Sequence, residues 1–158
     1  MPFRPVELPP DIPGKLWLAS MPGRFEAWSA FEAQAERAKL ALVVCLTPRD
    51  EIAELSPAYH AAVTRGRMPF RWMSVPVRNF GVPEDAAAFR RQIAEITQSL
   101  RQGDAVLLHC AAGIGRTGST AACVLKALGL STGEALQRVL DAGSNPQNAQ
   151  QSGLVDWF

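Results

Sequence analysis

Apolar residues fall into two kinds of pattern along this chain. Short runs rich in apolar side chains recur at Lys15-Leu16-Trp17-Leu18-Ala19, Ala41-Leu42-Val43-Val44-Cys45-Leu46, Arg71-Trp72-Met73-Ser74-Val75 and Ala105-Val106-Leu107-Leu108. Bounded by Ser20-Met21-Pro22-Gly23, Pro76 and Gly103-Asp104, they read as strands, and the near-continuous run 41–46 as one covered on both faces. Between them the spacing becomes helical. Trp28, Phe31, Ala35 and Ala38 line one side of 28–39, and Phe89, Ile93, Ile96 and Leu100 line one side of 84–100. Further helices are expected over 117–128, which stops at Gly129, over 132–140 and over 149–158, with Gly143-Ser144-Asn145-Pro146 as a break. Two short helical pieces, 52–55 and 57–65, follow an expected loop at Thr47-Pro48-Arg49-Asp50-Glu51. The proline-rich residues 1–13 read as an extended lead-in without regular structure. Strands alternating with helices predict an α/β fold, with a mostly parallel central sheet of about four to five strands flanked by helices on both faces.

Composition narrows the classes. A chain of 158 residues suffices for one core and gives no case for two, so 1–158 reads as a single domain. A net charge of +1 argues against nucleic acid as the main partner and carries no membrane-surface signal. No apolar run nears a membrane span, and Met1-Pro2-Phe3-Arg4-Pro5 lacks the apolar core of a secretory leader. The three cysteines have no metal-like spacing, and only His60 and His109 could join them, so neither a disulfide framework nor a metal site is expected. These features point to a cytoplasmic domain without a cofactor, and they leave its oligomeric state open.

One stretch carries chemistry. In Leu107-Leu108-His109-Cys110-Ala111-Ala112-Gly113-Ile114-Gly115-Arg116-Thr117-Gly118, a buried strand runs into a glycine loop and the start of a helix. Gly113 and Gly115 let the backbone curl so that successive N–H groups face one concavity. The helix that follows adds its positive end to an anion site, and Arg116 brings a planar fork of donors for phosphate oxygens. Cys110 stands at the lip, where the helix terminus and Arg116 favour a thiolate. A thiolate facing an anion cradle can attack the phosphorus of a bound phosphate monoester.

His109-Cys110, five residues, then Arg116-Thr117-Gly118, with both glycines between, resemble the signature of the cysteine-dependent protein tyrosine and dual-specificity phosphatases. Leu16–Ser20 with Pro22 is similar to that family's opening strand, and Val43–Thr47 with Glu51 to its second strand and following loop. Pro76–Pro83 resembles the loop that carries the acid, and Gly143-Ser144 with Gln150 the segment before the last helix. The late position of the signature separates the chain from low-molecular-weight phosphatases and arsenate reductases. The resemblance implies a small dual-specificity-like phosphatase in which Cys110 forms a phosphocysteine. Backbone N–H groups of Ala111, Ala112, Gly113, Ile114, Gly115 and Arg116, with the Arg116 side chain, would bind the equatorial oxygens. Thr117 would hydrogen-bond the sulfur, or be a plain first-turn residue, and His109 would orient the loop.

The chain departs from the family at the acid. Where the family has an aspartate, Val75-Pro76-Val77-Arg78-Asn79-Phe80-Gly81 has Asn79, and an amide has no useful proton to give. Three readings follow: an engineered Asp→Asn change, a carboxylate elsewhere (Glu84, Asp85, Asp50 or Glu51), or cleavage of good leaving groups without an acid. The favoured one is a native Asn79 with a displaced or weak acid, Glu84 being the possible donor. Asp85 reads better as a first-turn residue matched to the helix dipole. The uncharged Ala111, Ala112 and Ile114 disfavour a polyanionic lipid. The expected partner is a phosphorylated protein, through phosphotyrosine and by analogy phosphoserine or phosphothreonine, or a small phosphate monoester. Arg65, Arg67, Arg71 and Arg78 could dock an acidic substrate, although solvated loop arginines are the better reading. Cys45 could pair reversibly with Cys110 or be a small buried hydrophobe, and Cys123 reads as core. The alternative is a phosphate-binding pseudophosphatase with little turnover, favoured by Asn79 alone. A rhodanese-like sulfur carrier fits the Gly113–Gly118 run less well.

Overall fold

In the computed structural model, which describes residues 2–158, the apolar runs become β2 (Lys15–Ala19), β3 (Leu40–Cys45), β4 (Arg71–Ser74) and β5 (Ala105–His109), preceded by β1 (Arg4–Val6). The strands lie in the order β1-β2-β5-β3-β4. All pairs are parallel except β1 with β2. The central strand β5 sets Leu107 beside both Trp17 and Val43. It is covered on both faces, which is why its sequence is apolar without alternation.

Among the described residues seven helices supply the cover: α1 (Trp28–Arg37), α2 (Arg49–Leu55), α3 (Pro57–Arg65), α4 (Ala86–Arg101), α5 (Gly115–Ala127), α6 (Thr132–Asp141) and α7 (Ala149–Trp157). On one face Phe31 and Ala35 of α1 pack on Val43 and Leu107, and Tyr59 and Val63 of α3 pack on Cys45. On the other, Phe89 and Ile93 of α4, Val124 of α5, Val139 of α6 and Val155 of α7 enclose Leu18, Val44 and Leu108. Helix α5 is buried without interruption from Gly115 to Leu125, and its small residues (Gly118, Ser119, Ala121, Ala122) allow neighbours on all sides. Asp85, Ser131 and Asn148 cap α4, α6 and α7 by accepting backbone N–H groups.

The fold matches the α/β expectation and corrects three details. Residues 4–6 of the supposed lead-in form an edge strand, where Pro5 can sit because an edge position need not donate inward. Arg49-Asp50-Glu51 is the first turn of α2 rather than loop, with Pro48 before it and two acids at the positive helix end. The four arginines do not share a surface. Arg71 opens β4, at the end of the parallel sheet away from Cys110, and binds Ser99. Arg65 and Arg67 line a cavity with Lys39 and Leu40 at that same far end. Arg78, beyond the end of β4, is the one near the signature loop.

Candidate active site

The strands β2, β3, β4 and β5 run parallel, so their C-terminal ends share one edge, and the signature loop stands there. Cys110 follows β5 directly. Its sulfur accepts the Gly113 N–H at 3.2 Å and the Thr117 hydroxyl at 3.0 Å, and both side chains are buried. Among the described residues, no protein acceptor meets the N–H groups of Ala112, Ile114, Gly115 and Arg116. The loop carbonyls instead turn outward. Ala111 O accepts from Met21 N at 3.2 Å and from Arg24 Nη1 at 2.9 Å, and Ile114 O accepts from Gly118 N and Asn145 N. This leaves a ring of free donors at a helix N-terminus, the arrangement that binds a tetrahedral anion.

Three glycines here leave no room for a side chain: Gly113, Gly115, which faces Gln147 and Gln151, and Gly118. Gly113 has φ 76°, and a Cβ there would lie 2.6 Å from the Ala19 carbonyl. Gly118 lets α5 meet the 143–146 turn, where a Cβ would lie 2.6 Å from Asn145 N.

Arg116 is held from two sides. Its guanidinium donates to Glu51 Oε1 at 3.0 Å and Oε2 at 2.7 Å, and to Val77 O at 2.9 Å. Glu51 makes this contact from the first turn of α2.

Behind the loop, Trp72 Nε1 donates to the Tyr59 oxygen at 2.8 Å, and Tyr59 Oη lies 2.7 Å from His109 Nε2. The Cys110 carbonyl, 3.2 Å from Nδ1, can only accept, so this contact puts the ring proton on Nδ1 and leaves Nε2 to accept from the Tyr59 hydroxyl. Burial pulls the His109 pKa down to about 4, with the Arg116 charge acting in the same sense, so the imidazole is neutral. Its contact with Cys110 O joins the ring to the Cys110 backbone.

The segment after β4 is tied down at several points. Arg78 pairs with Asp50 at 3.0 Å, and that hydrogen bond holds the Asp50 carboxyl below its ordinary range. Asn79 sits exposed in the next turn and makes no hydrogen bond among the described residues. Phe80 is held at φ 61°, a strained region for a bulky residue, and its carbonyl accepts from Asn148 Nδ2 at 2.8 Å. Glu84 is exposed, and its charge acts on Arg78. Asp85 is occupied as the α4 cap, accepting the Ala88 N–H at 3.0 Å.

The sequence matches the family described as Swiss Army Knife protein, DSP-PTPase phosphatase domain, over residues 12–152. The chain belongs to this phosphatase family. In fold it is similar to kinase associated phosphatase bearing serine for its catalytic-site cysteine (TM-score 0.83, 19% identity, 98% of this chain and 93% of that one). It is also similar to Tk-PTP in the active form (TM-score 0.69, 23% identity, 94% and 95%). A further likeness is to human tyrosine phosphatase-like serine/threonine/tyrosine-interacting protein (TM-score 0.71, 19% identity, 97% and 93%). No curated protein matches the sequence.

This phosphatase uses Cys45 differently from the pairing considered above. Cys45 lies beside His109 in the sheet register and packs with Met21, Ile52 and Tyr59, whereas Cys110 belongs to the core on the opposite face. The Cys45 sulfur is 3.2 Å from Thr47 Oγ1, and burial raises its thiol pKa. Cys123 is core, its thiol pushed up to about 12 by burial. Gln150 is exposed, and its neighbour Gln151 is the buried one. Gln151 Nε2 donates to Gly81 O at 3.3 Å and Oε1 accepts Gln147 N at 2.8 Å, which joins α7 to the Asn79 segment. The spacing Asn148-x-x-Gln151 is a helix-start signal that could have singled it out. Tyr59, Trp72 and Arg24 carried no comparable signal, whereas Ser144 stood in the Gly143-Ser144 segment that the resemblance marked.

Proposed function

We propose that residues 1–158 form one catalytic domain that hydrolyses phosphate monoesters through a phosphocysteine on Cys110, phosphotyrosine on proteins being the favoured substrate. The observation that carries the reading is the paired donation of Gly113 N–H and the Thr117 hydroxyl to the Cys110 sulfur, at the base of an open ring of N–H groups. Cys110 Sγ attacks phosphorus and the P–O bond to the leaving oxygen breaks. Charge gathering on the three equatorial oxygens meets the N–H groups of Ala111, Ala112, Ile114, Gly115 and Arg116 and the Arg116 side chain, the Gly113 N–H being given to the sulfur instead. Water then cleaves the S–P bond, with Thr117 donating to the departing thiolate. The scheme calls on no metal or cofactor. Free buried cysteines fit a reducing, cytoplasmic setting.

The acid sets the substrate. Asn79 occupies the usual position, Glu51 has both oxygens engaged by Arg116, Asp50 is committed to Arg78, and Asp85 caps α4. Glu84 is the carboxylate left for the role. General-acid help is worth ~10²–10⁴-fold, and a phenolate leaves with least need of it. This, with the uncharged loop and the exposed Phe80, supports an aryl phosphate over an alkyl one. A second reading, phosphate binding with little turnover, is favoured by Asn79.

The test is hydrolysis of two aryl phosphates, with acidic and less acidic phenols, by the parent, Cys110→Ser, Asn79→Asp and Glu84→Gln. Turnover lost in Cys110→Ser and raised in Asn79→Asp, most for the poorer leaving group, supports the acid-poor phosphatase. Loss in Glu84→Gln for that leaving group makes Glu84 the donor. No turnover by the parent or by Asn79→Asp, with tight phosphopeptide binding, would leave the binding module.

A further inference from the structure

Arg4 stands on the edge strand β1, paired with Leu18, yet its guanidinium reaches the outer side of the phosphate loop. Nη2 donates to Gly113 O at 2.6 Å, and Nη1 donates to Ala142 O at 2.7 Å and Ser144 Oγ at 2.9 Å. The buried Ser144 hydroxyl donates to the same Gly113 oxygen at 2.6 Å. One loop carbonyl thus takes two donors from outside, one of them cationic.

That carbonyl belongs to the same peptide plane as the Ile114 N–H. In a trans peptide the two point in opposite directions, so holding Gly113 O outward aims Ile114 N–H into the cradle. A cation on the oxygen also polarises the peptide and strengthens its N–H as a donor. The pinning has a reason. Gly113 sits at φ 76° with no side chain to restrain it, and a rotated peptide would set a carbonyl oxygen against the bound anion. Rotation would also leave the buried Ser144 hydroxyl and one guanidinium arm without that acceptor. Arg24 makes the analogous contact at Ala111 O. Burial lowers the pKa of the half-buried Arg4, and attraction to Cys110 opposes that shift.

We infer that Arg4, together with Ser144, is a positioning residue of the oxyanion cradle, fixing the Gly113–Ile114 peptide with its N–H inward. The inference rests on the phosphatase reading and makes the edge strand part of the site.

Calorimetric titration of the full chain with inorganic tungstate, a tetrahedral oxyanion, tests it without requiring turnover. Arg4→Ala should bind tungstate at least tenfold more weakly than the parent, Ser144→Ala several-fold more weakly, and Arg4→Lys between parent and Arg4→Ala. With aryl phosphate, Arg4→Ala should lose more in kcat than it gains in KM, because the N–H matters most when charge has gathered on oxygen. Tungstate affinities within twofold of the parent in folded Arg4→Ala and Ser144→Ala would overturn the inference. If Arg4→Ala does not fold, Ser144→Ala alone decides on the same criterion. A parent that binds no tungstate would instead sink the phosphatase reading, and the inference with it.

Discussion

Both oxygens of Glu51 accept from the Arg116 guanidinium, at 3.0 and 2.7 Å, with the side chains 19% and 3% exposed respectively. The pair joins the first turn of α2 to the first turn of α5 and sets the plane in which Arg116 presents its remaining donors. A bidentate contact fixes a guanidinium in orientation as well as position.

Glu51→Gln should therefore impair both stability and chemistry. Breaking a buried pair from one side costs about 3–5 kcal/mol, and the partial exposure of Glu51 puts the expected loss nearer ~2 kcal/mol. A misplaced Arg116 should lower kcat/KM by roughly 10²-fold. Urea unfolding and aryl phosphate kinetics check the two effects. Unchanged kinetics in a destabilised variant would show that Arg116 orients itself without Glu51.

Thr117→Ser should keep most activity, whereas Thr117→Val removes the donor to the Cys110 sulfur. Loss of one such hydrogen bond is worth about 1 kcal/mol, or roughly fivefold in rate. The effect should fall on breakdown of the phosphocysteine, where sulfur is the leaving group. Rapid-quench kinetics should then show a burst of phenol in Thr117→Val that is larger than in the parent. A steady rate equally slow from the first turnover would place the effect on attack instead.

Gly113→Ala meets two obstacles at once, a left-handed φ of 76° and a Cβ 2.6 Å from the Ala19 carbonyl. Left-handed strain alone costs about 1–2 kcal/mol, and backbone on both sides of the clash cannot step aside cheaply. The variant should lose about 3 kcal/mol in urea unfolding and most of its oxyanion affinity. Wild-type tungstate binding in Gly113→Ala would mean that the loop has a second competent conformation.

The neutral His109 makes stability depend on pH. Its folded pKa, about 4, lies below the unfolded value of 6.5, so as pH falls the unfolded chain takes up the proton first. Stability is complete above about pH 6.5, declines as pH falls towards 4, and from this group changes no further below that. The full span is about 3 kcal/mol. Urea midpoints of the parent and of His109→Gln between pH 7 and 4 should converge as the parent loses this contribution. Parallel profiles would assign the acid lability to another group.

The stretches that were legible in the sequence are those whose cause is local. Leu107 to Gly118 carries strand, loop and helix in consecutive residues, so the anion cradle could be read from glycine spacing and a following helix. The same holds for β3, apolar because it is covered on both faces, and for α4, whose Phe89, Ile93 and Ile96 recur at helical spacing. Features with a non-local cause leave no such trace in the sequence. Arg4 sits in a proline-rich stretch that resembles a solvated lead-in, and only pairing of β1 with β2 brings its guanidinium to Gly113.

By itself, then, the sequence determined the α/β alternation, the place of Cys110 between strand and glycine loop, the helix that follows the loop, and an asparagine rather than an aspartate at position 79. Each of these is a property of residue type and short-range spacing. The tertiary structure decided which carboxylate belongs to Arg116, that Cys45 and Cys110 lie on opposite faces of the sheet, and that Gln151 rather than Gln150 braces the Asn79 segment. Such pairings depend on sheet order, register and the face a residue occupies, and those are set by packing between segments that are remote in the chain.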